Sequence, residues 1–301
     1  MGEIAALGTS LCWALTAVQF TLAGRRVGSR IVNCVRLALA AVFLSLTHLL
    51  VRGSLWPIQA GLHRWMWLGL SGLFGLVLGD GALFHAFLLI GPRRAMLLMT
   101  LVPVFSAIAA WALLGEALLP VEIVAILITV GGIAWVVSER KLAPESVDPN
   151  PSDRGKNEAL GVLLALCGAL GQAMGMVVAK RGLVGDFPAL SATAMRMITA
   201  TAVIWLLALL RGQVGISWKA LRDRQATLWL AGGAFAGPFI GVWLSLFAVR
   251  EARVGIASTL MTLSPITLIP FDHWIFGEAI TWRSVVGTLV ALGGVGLIFL
   301  T

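Results

Sequence analysis

Asp80 is the only Asp, Glu, Lys or Arg between Arg64 and Arg93, and apolar residues and glycines surround it. An ionised carboxylate at the middle of a bilayer costs roughly 2.5–3.5 kcal/mol even on insertion scales. Such a group has to be protonated, solvated in a cavity or paired. Gly79 and Gly81 flank it, so the helix can open there and supply backbone partners. The site chemistry that fits is binding a cationic group or carrying a proton; the alternative is a capped or paired structural Asp. His85 stands five positions on, a poor spacing for contact along one helix; a core histidine bonded to a carbonyl is its other reading. Arg36 and Arg196 each lie a turn or more inside an apolar run. A guanidinium stays charged and matches carboxylate or phosphate. Either arginine can hold an anionic group or pair with Asp80, and snorkelling to headgroups is the competing reading. Gln19, Gln172, Met99 and Met261 are polar or soft side chains suited to lining a path, with Trp13 and Trp243 as apolar walls.

Pro103 and Pro265 fall inside long apolar runs. Proline removes a backbone donor and clashes with the preceding turn, so it bends a helix and frees a carbonyl that can line a cavity. A gate and a packing kink both use such a bend. Glu116 and Glu278 each follow a glycine at the end of a run, where a carboxylate suits the interface and the start of the next helix. Gly131-Gly132 and Gly293-Gly294 let helix backbones approach closely. GxSxG, HExxH and P-loop patterns do not occur, so the reading is not an enzyme. The four histidines lack metal-ligand spacing, and Cys12, Cys34 and Cys167 form no CxxC, so no metal site is expected.

The elements that must hold these residues follow from composition. The 301-residue chain is 59% hydrophobic and 12% charged, with mean hydropathy +0.94. A soluble domain carries roughly 25% charged residues, so lipid is part of this chain's solvent. A hydrocarbon core about 30 Å thick needs roughly 20 helical residues. Nearly charge-free runs of that size fall near 4–24, 31–51, 65–90, 94–115, 121–138, 159–179, 188–210, 226–249, 254–276 and 283–301. They do not alternate apolar with polar, which excludes barrel strands. The expected fold class is an all-α membrane protein with ten transmembrane helices. The net charge of +8 sits in short segments between runs without aromatic interleaving, so a nucleic-acid partner is not expected.

The charged, Pro-containing stretch 139–157 divides two halves that repeat. Residues 95–132 moved forward by 162 positions land on 257–294. Met99-Thr100-Leu101-x-Pro103 then meets Met261-Thr262-Leu263-x-Pro265. Gly115-Glu116-Ala117 meets Gly277-Glu278-Ala279, and Gly75 and Gly79 meet Gly237 and Gly241. Arg36 resembles Arg196 at a slightly different offset, and Asp80 meets Val242. Each half has an odd number of runs, five, so the second copy enters the membrane upside down, an inverted repeat of the kind that supports alternating access.

These motifs resemble the EamA-type drug/metabolite transporters over essentially the whole chain. The resemblance implies a secondary transporter, often exporting amino acids or other small metabolites, with no organic cofactor. The expected partners are the lipid bilayer, a small-molecule substrate and, as candidate coupling ion, the proton. A membrane-embedded receptor or scaffold without transport is the alternative. The expected division is a first EamA-like repeat over 1–142, a charged linker over 143–157 and a second repeat over 158–301. The expected location is a bacterial-type plasma (inner) membrane. Loops on the linker side carry 14 Lys and Arg and those opposite carry 6, which puts the linker in the cytoplasm and both termini outside.

Overall fold

A computed structural model describes residues 1–114, 120–137, 151–183, 187–216, 221–251, 260–277 and 281–299. All regular structure among them is helical. That follows from the solvent: in hydrocarbon every backbone N–H and C=O must be bonded internally, and a helix does this within one segment. The helices are α1 (Gly2–Val27), α2 (Ser29–Arg52), α3 (Leu62–Gly72), α4 (Asp80–Met99), α5 (Val102–Leu114) and α6 (Pro120–Val137). They continue with α7 (Pro151–Gly182), α8 (Ala189–Leu210), α9 (Arg224–Ala234), α10 (Val242–Glu251), α11 (Ser264–Phe271) and α12 (Trp282–Phe299). Six helical runs among the described residues are long and apolar enough to cross a bilayer. Ile123–Val136 and Val285–Leu297 are shorter apolar helices.

Two wide π-helical stretches join helices end to end. Leu73–Gly79 links α3 to α4, and Phe235–Gly241 links α9 to α10. They sit 162 positions apart, the offset at which the sequence repeats. Two breaks recur at the same offset: the helix stops at Thr100-Leu101 and again at Thr262-Leu263. Pro103 and Pro265 are each the second residue of the helix that resumes, α5 and α11. The sequence reading put these prolines inside continuous helices as kinks. The chain instead breaks just before each, and proline takes a first-turn position where its missing N–H has no carbonyl to meet. Thr100 Oγ1 donates to the Leu97 carbonyl at 2.7 Å and Ser264 Oγ to that of Met261 at 3.0 Å, covering carbonyls that the breaks release.

The linker reading also changes. Helix α7 begins at Pro151, so the last seven residues of 143–157 are helical and the charged stretch extends a span. A further break comes at Gly91, whose φ of 79° is open to glycine and ends the first leg of α4 ahead of Pro92.

Glycine sets how closely the helices approach. A Cβ on Gly132 would lie 2.7 Å from the Ala291 nitrogen and 2.9 Å from the Gly287 carbonyl. One on Gly294 would lie 2.6 Å from the Thr129 nitrogen and 2.9 Å from the Ala125 carbonyl. These are reciprocal contacts: 125, 129 and 132 correspond to 287, 291 and 294 at the repeat offset. Gly131 and Gly293 face open space, so one glycine of each pair does the packing. Helix α7 meets the first π stretch in the same way. A Cβ on Gly171 would sit 2.8 Å from the Gly79 Cα, and one on Gly175 would sit 3.0 Å from the Gly75 nitrogen. Ser71 Oγ reinforces the seam by donating to the Gly175 carbonyl at 2.6 Å.

Candidate functional site

The Gly-to-Gly seam carries Gln172 of α7 alongside the first residue after the π stretch, Asp80. Asp80 is buried, at 6% exposure, and both of its oxygens are engaged. Oδ1 accepts from Gln172 Nε2, and Oδ2 accepts from Arg36 Nη2 in an ion pair. Arg36 is 4% exposed, and its Nε donates to Asn33 Oδ1 at 3.0 Å. Its guanidinium carbon lies 4.7 Å from the centre of the Phe84 ring and 6.0 Å from that of Phe20, inside cation–π range. Burial between aromatic rings lowers the local dielectric and strengthens the ion pair.

The π stretch has its own part in this. Its wide turns displace carbonyls from the regular ladder, and two of them are bonded from α2. Asn33 Nδ2 donates to the Leu76 and Val77 carbonyls at 3.2 and 3.3 Å, and Arg36 Nη2 reaches the Leu76 carbonyl at 3.4 Å. Asn33 therefore ties the arginine to the backbone that presents Asp80. It was not singled out from the sequence, although it stands three residues before Arg36, on the same helix face.

Arg196 of α8 approaches from the other side. Its backbone carbonyl would meet a Cβ on Gly72 at 2.4 Å. A Cβ on Gly75 would lie 3.2 Å from Gln172 Oε1 and 3.4 Å from Arg196 Nη2. The charges of Arg196 and Asp80 interact, yet Arg196 Nε is buried without a hydrogen-bond partner among the described residues. The interior thus gathers Asp80, Arg36, Gln172 and Arg196 from four separate sequence regions.

Other expected residues lie apart from this cluster. His85 is exposed and its Nδ1 is 3.2 Å from Ser29 Oγ, so it neither reaches Asp80 nor sits in the core. Gln19 faces Gly232 of α9, with its Oε1 buried and without a hydrogen-bond partner among the described residues. Trp13 and Met261 pack in one small cluster with Ala5, Ala6 and Ala248. Met99 packs against the main core. Trp243 is 61% exposed, 6.4 Å from Phe239, in an aromatic group with Phe235 and Phe43. Glu116 and Glu278 lie outside the described residues.

At the helix ends, Arg26 Nε pairs with Asp223 at 2.8 Å and Arg94 Nη1 with Glu158 at 2.7 Å. Asp223 also caps α9, accepting from the Gln225 and Ala226 nitrogens at 3.1 Å. The Arg26 hydrogen bond first, and the Ala226 N–H second, hold the Asp223 carboxyl below the usual carboxylate range.

Buried charge thus sits inside a bundle of apolar helices whose breaks recur at a fixed offset. The profile of the EamA-like transporter family matches residues 1–138 and again 159–300. The chain belongs to the EamA-like transporter family. It is therefore a multi-pass integral membrane protein that moves small solutes, with the bilayer and a small-molecule substrate as its partners. No curated protein matches the sequence. Among solved structures 23 chains match. One crystal structure superimposes with TM-score 0.62 over 99% of this chain and 97% of that chain at 17% identity, a likeness of fold.

Proposed function

We propose that this EamA-like protein is a secondary active exporter of small metabolites or amino-acid-like solutes that works by alternating access. In this reading ten spans form two inverted five-helix repeats, 1–142 and 158–301, joined by a cytoplasmic linker at 143–157 in a bacterial-type inner membrane. Asp80 is the coupling group, with the proton as candidate coupling ion.

The observation that carries the reading is the buried ion pair of Asp80 and Arg36, completed by Gln172 from beyond the linker. A carboxylate shared between two parts of the chain changes its partners when those parts move, and so links solute movement to charge movement. Reciprocal contacts support the inverted pairing. Gly132 meets 287 and 291 while Gly294 meets 125 and 129, the self-complementary pattern of a two-fold relation. The π stretches repeat this: Gly75 and Gly79 lie on α7, and Gly237 and Gly241 lie on α1.

Proteoliposome uptake of a mixed-metabolite pool, with and without a pH gradient, tests the reading. Solute accumulation is expected, and a pH gradient is expected to raise it in the wild type but not in Asp80→Asn. Exchange at equal pH should survive the substitution better than uphill movement. No uptake of any solute would contradict transport, and gradient-driven uptake intact in Asp80→Asn would remove Asp80 from coupling.

A further inference from the structure

Arg36 and Arg196 occupy matching places on α2 and α8, but their surroundings differ. Arg36 is satisfied by Asn33, Asp80, the Leu76 carbonyl and the Phe84 ring. The residue that corresponds to Asp80 in the second half is Val242, which has no charge to offer Arg196. Gln172 commits its amide N–H to Asp80, and Asp80 makes its hydrogen bonds to Gln172 and Arg36 rather than to Arg196. The cluster therefore holds two guanidiniums against one carboxylate and keeps one positive charge over. A guanidinium does not shed its proton, and the half-buried Arg196 has its Nε buried with no hydrogen-bond partner among the described residues, so the charge is open to an anion.

We propose that Arg196 is an anion subsite that binds the carboxylate of a monoanionic organic solute. The proposal rests on the transporter reading above and names its substrate class. A single carboxylate cancels the excess charge and matches the planar guanidinium in a bidentate fit. A phosphate dianion would reverse the charge, and a zwitterionic amino acid would leave it uncancelled. Glycine at position 75 leaves Arg196 Nη2 uncovered on that side, where a Cβ would lie 3.4 Å from it. Export of such a solute is also driven by an inside-negative membrane potential, which pushes an anion outward.

The smallest probes test this without knowledge of the natural solute. The purified full chain in micelles is unfolded thermally in acetate, glycine or inorganic phosphate, with chloride setting equal ionic strength, and followed by tryptophan fluorescence. A ligand that binds only the folded state raises the midpoint saturably. Acetate is expected to do so in the wild type. Its half-saturating concentration is expected to rise at least about tenfold in Arg196→Gln, and by much less in Arg196→Lys. In chloride alone, Arg196→Gln is expected to unfold no earlier than the wild type, because Arg196 makes no ion pair or side-chain hydrogen bond among the described residues to lose. No acetate response in the wild type, or an equal response in Arg196→Gln, would overturn the subsite. A larger response to glycine or phosphate would overturn the monoanion class. Early unfolding of Arg196→Gln in chloride would make Arg196 structural and overturn it too. The two readings fail separately. Acetate binding through Arg196 in a protein that moves no solute in liposomes sinks transport alone, whereas solute flux untouched by Arg196→Gln sinks the subsite alone.

Discussion

The two π stretches share a backbone and differ in what they present. Leu73–Gly79 ends on Asp80, which meets Arg36 and Gln172. Phe235–Gly241 ends on Val242, and where Gln172 stands over Gly75, Thr16 stands over Gly237, its Oγ1 2.5 Å from where a Cβ would lie. The geometry of helix contact is duplicated, while the carboxylate that ends the first π stretch has no counterpart in the second. A duplicated backbone supplies two like seams, but the single carboxylate at Asp80 leaves this cluster with one ion pair and a second arginine, Arg196, beside it. Specificity in such a fold lies in a few side chains placed on a repeated frame.

The largest expected effect breaks this comparison on its charged side. Asp80→Ala leaves Arg36 buried and alone, at a cost of about 3–5 kcal/mol. Val242→Ala removes only partly buried methyl groups and should cost below about 1.5 kcal/mol. Thermal unfolding in micelles measures both, and equal losses would mean that Arg36 is not left as a costly unpaired charge when Asp80 is removed. Next, Val242→Asp sharpens the comparison by placing at the end of the second π stretch the carboxylate that ends the first. It is expected to cost more than Val242→Ala, because it brings in a partly buried carboxylate with no arginine among the described residues placed beside it. A protein that fails to insert would show that the two places are not equivalent. Smaller again is Gly132→Ala, whose methyl would meet the α12 backbone, at about 1–3 kcal/mol, against little change for Gly131→Ala. A reversed order would contradict the α6–α12 seam.

The smallest effect is at Asp223. Its carboxyl is held below its usual range by Arg26 and the α9 N-terminus. The folded state therefore prefers the ionised form. The stabilisation is complete above the unfolded carboxylate value, about 3.9, and is lost as pH falls through the lower folded value. Asp223→Asn should flatten only that acid limb of a stability–pH profile, and a change near neutrality would contradict the assignment.

Hydropathy made the helices legible, because a bilayer leaves few other solutions. The repeat was legible because Pro, Gly-Glu and Gly-Gly recur at one offset. Asp80, Arg36, Arg196 and Gln172 were legible as residue types, since charge and amide groups in apolar runs require partners. Their partnership was not, because residues 44 and 92 positions apart meet only through helix packing. Nor were the π stretches, whose glycines read equally well as packing surface. Asn33 was hidden among apolar neighbours although it bonds both Arg36 and the π carbonyls. His85, whose five-residue spacing from Asp80 already read as poor for contact, is turned by its helix to Ser29.

The central claim is that the charge of the Asp80–Arg36 pair serves transport rather than folding. The double variant Arg36→Gln/Asp80→Asn separates the two, because it removes both charges of the pair together and leaves neither partner as a lone ion. Gradient-driven and equal-pH flux of the same solute through this variant in proteoliposomes is the measurement. The account predicts a protein that folds and inserts like the wild type, still exchanges solute, and no longer accumulates it against a gradient. Wild-type accumulation by the double variant would contradict it.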